Sequence, residues 1–447
     1  MRQLFISTLL LISSIAVAQQ RLTLEDCHAL ALKQNKEIVA SSKQTESAIY
    51  TQKSYRSLYL PNIKASVLGL YSTADGEYNV EGGMLPNVDP TTGNVTPGTT
   101  YFPGLRLAYE VGPIITGGID IEQPIYMGGK IRAANKISSM GVELSKMNNT
   151  LTTINIRLAV DNSYALLIKA QEMKKVATSY NNLLNELLHN VESAFKNGIK
   201  PKNDVMKVKV KYGESQLAVK KAENAIRLAQ MNLCHIIGLP LSTDIEIENK
   251  YPNIPTSTAD IETSVNTRQE YQMLNKQIEI AEQQLKLQRS EALPSMGLKG
   301  MIGYTHGLKI NDETLIDGST FAVMMNISIP LFHFGENHNK IKASRAKVEK
   351  ARLEQEYKTE QMQLQITQAI NNLEEANLEC KLSEENLEQT TENLRLSRQA
   401  YDVGLEALSE LLEAQSLWQQ AHQSHVDAQF KLYLSYIEYK KAIGILE

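Results

Sequence analysis

Hydrophobic residues recur along this chain with two different periods. In four stretches they alternate steps of three and four. The first runs Leu166, Ala170, Met173, Ala177, Tyr180, Leu184, Leu187, Val191, Ala194, and the second Val205, Val208, Tyr212, Ser215 and on to Leu233 and Ile236. The third runs Leu373, Ala376, Cys380, Ser383, Leu387 and on to Tyr401, and the fourth Leu411, Ala414, Trp418, Ala421, His425 and on to Tyr439. Such narrow heptad seams predict long helices in coiled-coil contact. Many seam positions are Ala, Ser or Thr, which let helices approach closely, and a seam this narrow buries too little for a thick globular core. Elsewhere the period is two. Ile63, Ala65, Val67, Gly69 and Tyr71 form one apolar line, Ile119, Ile121 and Ile125 a second, Met296, Leu298, Ile302 and Tyr304 a third, and Phe321, Val323, Met325, Ile327 and Ile329 a fourth. These predict strands over 61–73, 110–126, 294–305 and 319–331. Each is about ten residues long, which is what a tilted strand needs to cross a bilayer.

The pattern occurs twice. Leu60-Pro61 returns as Leu293-Pro294, Pro124 to Gly129 as Pro330 to Gly335, and Phe195-Lys196-Asn197-Gly198 as Tyr401-Asp402-Val403-Gly404. Each copy reads helix, strand, loop, strand, long helix, short break, helix. The first copy spans 19–240 and the second 258–447, joined by a Pro-, Ser- and Thr-rich linker over 241–257. The first copy is longer between its strands. Residues 73–106 are dense in turn formers (Asp75-Gly76, Pro86-Asn87, Asp89-Pro90, Pro97-Gly98) and predict a long exposed loop. The helices before each break approach seventy residues, or roughly 100 Å at about 1.5 Å per residue.

The first eighteen residues change the setting. Arg2, an apolar run and Ala16-Val17-Ala18 make a secretory signal peptide over 1–18. No later stretch is apolar enough for a transmembrane helix, so an exported chain of this kind spans a membrane only with strands. Four strands cannot close a barrel, whose smallest known forms have about eight, so closure demands several copies. Hydrophobic residues make up 42% and charged ones 21%, which excludes disorder. A net charge of -4 with no basic run gives no footprint for nucleic acid. Cys27, Cys234 and Cys380 are too far apart in sequence for a CxxC metal site. His333 and His338 flank Gly335 with no third ligand in reach of the pattern, so no metal is expected. No nucleophile–base order and no phosphate loop is present, so neither a catalytic site nor a cofactor is expected.

With its two Pro-to-Gly strand exits and two Gly-centred breaks, the chain resembles the TolC-like outer membrane efflux proteins from Leu22 to Leu446. The resemblance implies a mainly α fold with membrane β. Three chains share a twelve-stranded outer-membrane β-barrel, and their coiled-coil helices form an α-helical barrel extending into the periplasm. It implies a homotrimer in outer membrane lipid, working with a periplasmic adaptor (membrane fusion) protein and an inner-membrane transporter of RND or ABC type as a passive exit duct. The alternative is a soluble periplasmic coiled-coil tether. By the same resemblance the breaks form a periplasmic gate, with Asp204, Tyr401, Glu406, Glu410 and Glu413 as its residues. Glu410 and Glu413 share one helix face, so three copies would stack two acidic rings. Some relatives carry Arg where Glu406 stands, so a latching cation would have to come from Lys200 or Lys202. On the strands, Asp120 and Glu122 are expected to face the lumen and bias it toward cations.

Overall fold

The computed structural model describes residues 21–111, 113–252, 254, 264–332 and 334–445. The signal peptide and His333 lie outside the described residues, as does most of 253–263. The chain divides into two compact units, one of residues 48–141 and 279–350, the other of 1–47, 142–278 and 351–447.

The element order repeats with little variation. A short strand β1 (Arg21–Leu22) leads into α1 (Leu24–Gln34) and α2 (Lys36–Ser57). Strands β2 (Asn62–Leu70), β3 (Asp75–Val80), β4 (Gly83–Val88), β5 (Val95–Phe102), β6 (Leu105–Glu110) and β7 (Ile114–Met127) follow. Next come α3 (Lys130–Lys196), α4 (Lys202–Ile237) and a two-residue strand β8 (Glu246–Ile247) that pairs in parallel with β1. The chain closes with α5 (Gln269–Ser290), β9 (Ser295–Ile310), β10 (Glu313–Ser328), α6 (Glu336–Asp402) and α7 (Leu408–Ala442). Helices α3 and α6 have 67 residues each, about 100 Å of helix.

Three expectations are corrected. Residues 73–106 are not a loop: β3 pairs with β6, and β4 pairs with β5. The Gly and Pro residues that suggested a loop sit at hairpin turns and in short strands. Second, the hairpin of β9 and β10 runs further than its alternation suggests. It turns on Asn311 and Asp312, which have φ of 49° and 67°, the doubly left-handed geometry of a two-residue hairpin. Third, the first helix is broken at Asn35. The Asn35 side-chain oxygen accepts from the Glu37 N–H at 2.8 Å and the Ile38 N–H at 3.2 Å, capping α2, while its amide donates to the Ile236 carbonyl at 2.8 Å. Thr267 makes the corresponding tie in the second copy, its hydroxyl donating to the Ile443 carbonyl at 3.2 Å.

In the helical unit the seams are buried largely as expected. Ala177, Leu184, Leu187, Val191, Val208, Leu233, Ala376, Leu411, Ala421 and Ala428 are all in the core. Near the middle of α3 the buried face turns. Tyr164, Leu167 and Ile168 pack with Cys27, Ala31, Leu233 and Ile237, while the predicted seam residue Leu166 is 40% exposed. The extra contact surface is supplied by α1 and by the β8 segment, whose Glu248 carbonyl accepts from the Tyr164 hydroxyl at 2.8 Å. A seam drawn for two helices does not anticipate a third.

In the strand unit β10, β9, β7 and β2 lie side by side, each antiparallel to its neighbour. Among the described residues β2 pairs only with β7, and β10 only with β9, so both flanks of this four-stranded wall are open.

Candidate functional site

Two places on this fold have the makings of a function. The first is the tip where α3 turns into α4 and α6 into α7. Both turns are built alike. Gly198 (φ 74°) donates to the Phe195 carbonyl and Ile199 to that of Ala194, both at 2.9 Å; Gly404 (φ 78°) donates to the Tyr401 carbonyl at 3.0 Å and Leu405 to that of Ala400 at 2.9 Å. This is the Schellman closure of a helix, which needs a left-handed residue after the last turn. A Cβ on either glycine would meet nothing within 4 Å, so it is the backbone angle that calls for glycine there.

Below the turns, Leu187, Val191, Val205, Val208, Leu408 and Leu411 form one buried cluster drawn from α3, α4 and α7, with Leu394 and Tyr401 of α6 packed against it. Tyr401 is therefore half-buried. Burial raises its phenol above the ordinary tyrosine range, and the nearby carboxylates of Asp204 and Asp402 add to the shift. The Lys200 ammonium lies 4.7 Å from the centre of the Tyr401 ring, within range of a cation–π attraction. Glu406 accepts a hydrogen bond at 2.6 Å from the hydroxyl of Ser397, itself buried. Glu410 spends one oxygen on the Ala407 N–H at 3.4 Å, the reciprocal half of a capping box at the start of α7. Glu413 is exposed one turn further on. The fold thus gathers Asp204, Tyr401 and Glu406 around one apolar cluster and leaves Glu410 and Glu413 on an open helix face. Sequence reasoning missed the cross-links around them: Ser397 with Glu406, Arg398 of α6 with Glu186 of α3, and Lys209 with Glu192 at 2.9 Å. Lys209 holds the Glu192 carboxyl below the usual range by a hydrogen bond and by its charge.

The second place is the strand wall. Register decides its two faces. Ile63 stands opposite Ile121, Ile119 opposite Ile302, and Ile302 opposite Phe321. This face continues through Val67, Val323, Met325 and Ile327, all exposed, Phe321 by 73%. So large an apolar face without cover is unusual for a protein surrounded by water. The line of exposed residues runs on to Leu331, Phe332 and Phe334 after β10, the two rings 4.7 Å apart, and Tyr59 and Tyr126 are exposed beside the same strand ends. Aromatics at strand ends are the girdle expected at a bilayer interface. The opposite face holds the charged and hydroxyl side chains, with Leu68, Leu70 and Met324 among them. Lys64 faces Asp120 in register and Glu122 faces Lys299, and the Thr116 and Thr305 hydroxyls lie 3.2 Å apart. The two expected lumenal acids share this polar face with two lysines that the sequence reading did not count.

Among the described residues, no helix is long and apolar enough to cross a membrane. Among them also, no three His, Cys, Asp or Glu residues gather where they could hold a metal ion.

Residues 262–444 match the family model for the outer membrane efflux protein. No curated protein matches the chain by sequence. Among solved structures, the fold is similar to the outer membrane protein VceC of Vibrio cholerae at 15% identity, covering 94% of this chain and 96% of that one with a TM-score of 0.74. It is similar to the CmeC outer membrane channel of Campylobacter jejuni at 18% identity over 94% and 85% of the two chains, with a TM-score of 0.77. The open state of the MtrE outer membrane channel of Neisseria gonorrhoeae is a further likeness, at 15% identity over 94% and 88%, with a TM-score of 0.71.

Proposed function

We propose that this chain, whose residues 262–444 match the model of the outer membrane efflux protein family, is the outer-membrane exit duct of a periplasm-spanning pump. It works as a homotrimer and carries out no reaction of its own. The observation that carries this reading is the four-stranded wall, apolar and exposed on one side, charged and mixed on the other, and open along both flanks. In a bilayer an unpaired strand edge costs several kcal/mol for each backbone group. Three copies of four strands close a twelve-stranded barrel and leave no edge. A soluble tether gives that apolar face no role.

The helices form the periplasmic conduit, and the tip of the α3–α4 and α6–α7 turns is its gate. The gate is held by the cluster around Tyr401, with Asp204, Glu406 and Lys200 at its rim, and Glu410 and Glu413 face the passage as acidic rings. Opening is driven from outside the chain. The partners are a periplasmic adaptor and an inner-membrane transporter, of the RND or the ABC type, which supplies the energy and selects the cargo.

The test is the native mass of the protein extracted from outer membranes in mild detergent. About three chains per particle is the expected result. A monomer found in the soluble periplasmic fraction would remove the duct reading.

A further inference from the structure

We propose that the polar face of the strand wall carries a charge-balanced ring, in which Lys299 and Lys64 cancel Asp120 and Glu122 and so keep the lumen of the barrel from selecting ions by sign. This rests on the duct reading, which turns the apolar face to lipid and the polar face to the lumen. The four side chains come from three adjacent strands. The Lys299 ammonium lies 3.4 Å from Asp120 and 3.7 Å from Glu122, and the Lys64 ammonium lies 3.3 Å from Glu122. Asp120 also accepts a hydrogen bond from the Ser66 hydroxyl at 3.2 Å. Lys299 is the member that touches both acids.

These are the charged residues of β2 and β7, with the one lysine of β9 on this face away from the turn at Asn311 and Asp312. The ion pairs are too solvated to hold the sheet together: the side chains of Lys64, Lys299 and Glu122 keep 41–51% of their exposure. Pairs of this kind contribute little to stability. Their effect is on the field. In a narrow lumen with low-dielectric walls an unbalanced ring of like charge concentrates counter-ions, whereas a balanced ring does not. Each chain brings two positive and two negative charges to the same level of the wall, and three copies leave the ring neutral. Asp120 and Glu122 alone would bias the lumen toward cations; with the lysines beside them the bias is cancelled.

The test is ion selectivity in planar bilayers under a potassium chloride gradient. All channels carry Glu410→Ala and Glu413→Ala, so that the mouth acids do not mask the barrel. Lys299→Gln is expected to raise the preference for potassium over chloride by about threefold or more, and Lys64→Gln to move it the same way. Glu122→Gln is expected to move it toward chloride. Lys299→Gln combined with Asp120→Asn returns it to the parent value, and Lys299→Arg leaves it there. Conducting channels whose preference is the same in the parent, Lys299→Gln, Lys64→Gln and Glu122→Gln would overturn the balanced ring. A parent protein recovered as a monomer in the soluble periplasmic fraction would instead sink the duct reading beneath it.

Discussion

At the scale of single residues the proposed gate is the sharpest case. Asp204, Tyr401 and Glu406 were singled out through the family resemblance, as residues beside Gly198 and Gly404, whose turns recur in both halves of the chain. Their partners were not legible. Lys200 reaches Tyr401 from a segment about two hundred residues earlier, and Ser397 reaches Glu406 across a helix end. Sequence periodicity says which residues share a helix face but not which faces meet. The partners imply a measurable effect. The ammonium of Lys200 over the Tyr401 ring holds the first turn to the second. A cation–π contact at an exposed site contributes about 0.5–1 kcal/mol. If it favours the closed tip, Lys200→Ala raises the open fraction of single channels about two- to five-fold, since about 1.4 kcal/mol is a factor of ten, and Lys200→Arg does not. An open probability in Lys200→Ala equal to the parent's would exclude Lys200 as the latch.

At the scale of elements, what was legible followed the length of the pattern. Four seams of many heptads predicted helices, and two of these measure 67 residues each. Short elements were read less well, because their signals are local and compete. The insertion between β2 and β7 looked like a loop, since Pro and Gly punctuate it every few residues. In the structure these residues turn two hairpins, and the outer one is completed by the other half of the chain. The Asn311 N–H donates to the Ala108 carbonyl at 2.8 Å, and the Asn311 side chain accepts from the Ala108 N–H, also at 2.8 Å. Asn311 thus serves its own hairpin through a left-handed backbone and pins the insertion through its side chain. Asn311→Ala loses both, at a cost of about 1–2 kcal/mol for the backbone angle alone. Proteolysis within 75–110 on intact cells is expected to quicken roughly tenfold. Asn311→Gly, which keeps the turn and loses only the side-chain bond, is expected to fall between the two. Equal cleavage in all three proteins would mean that the insertion stands without this tie.

At the scale of the whole molecule, strand direction decides how copies can join. β2, β7, β9 and β10 alternate in direction, so the two open flanks of one chain, β2 and β10, run opposite ways. A second copy placed beside the first therefore brings its β2 antiparallel to the first copy's β10, and the sheet continues without a parallel fault. An odd number of strands per chain would not allow this, and four does. That four strands need further copies to close a barrel could be read from the count of strands. The direction of the joint could not, because it depends on which strand lies next to which. The joint predicts covalent neighbours. Paired cysteines scanned over Ile63 or Val67 in β2 and Val323 or Ile327 in β10, in a chain lacking Cys27, Cys234 and Cys380, are expected to give cross-linked dimers and trimers for at least one pair on oxidation in the membrane. Each single cysteine is expected to give none, since the joint sets β2 against β10 and never against a second β2; within one copy β7 and β9 keep the two flanks apart. If every pair yields monomers alone while the protein is in the outer membrane, the flanks do not meet and the barrel closes in some other way.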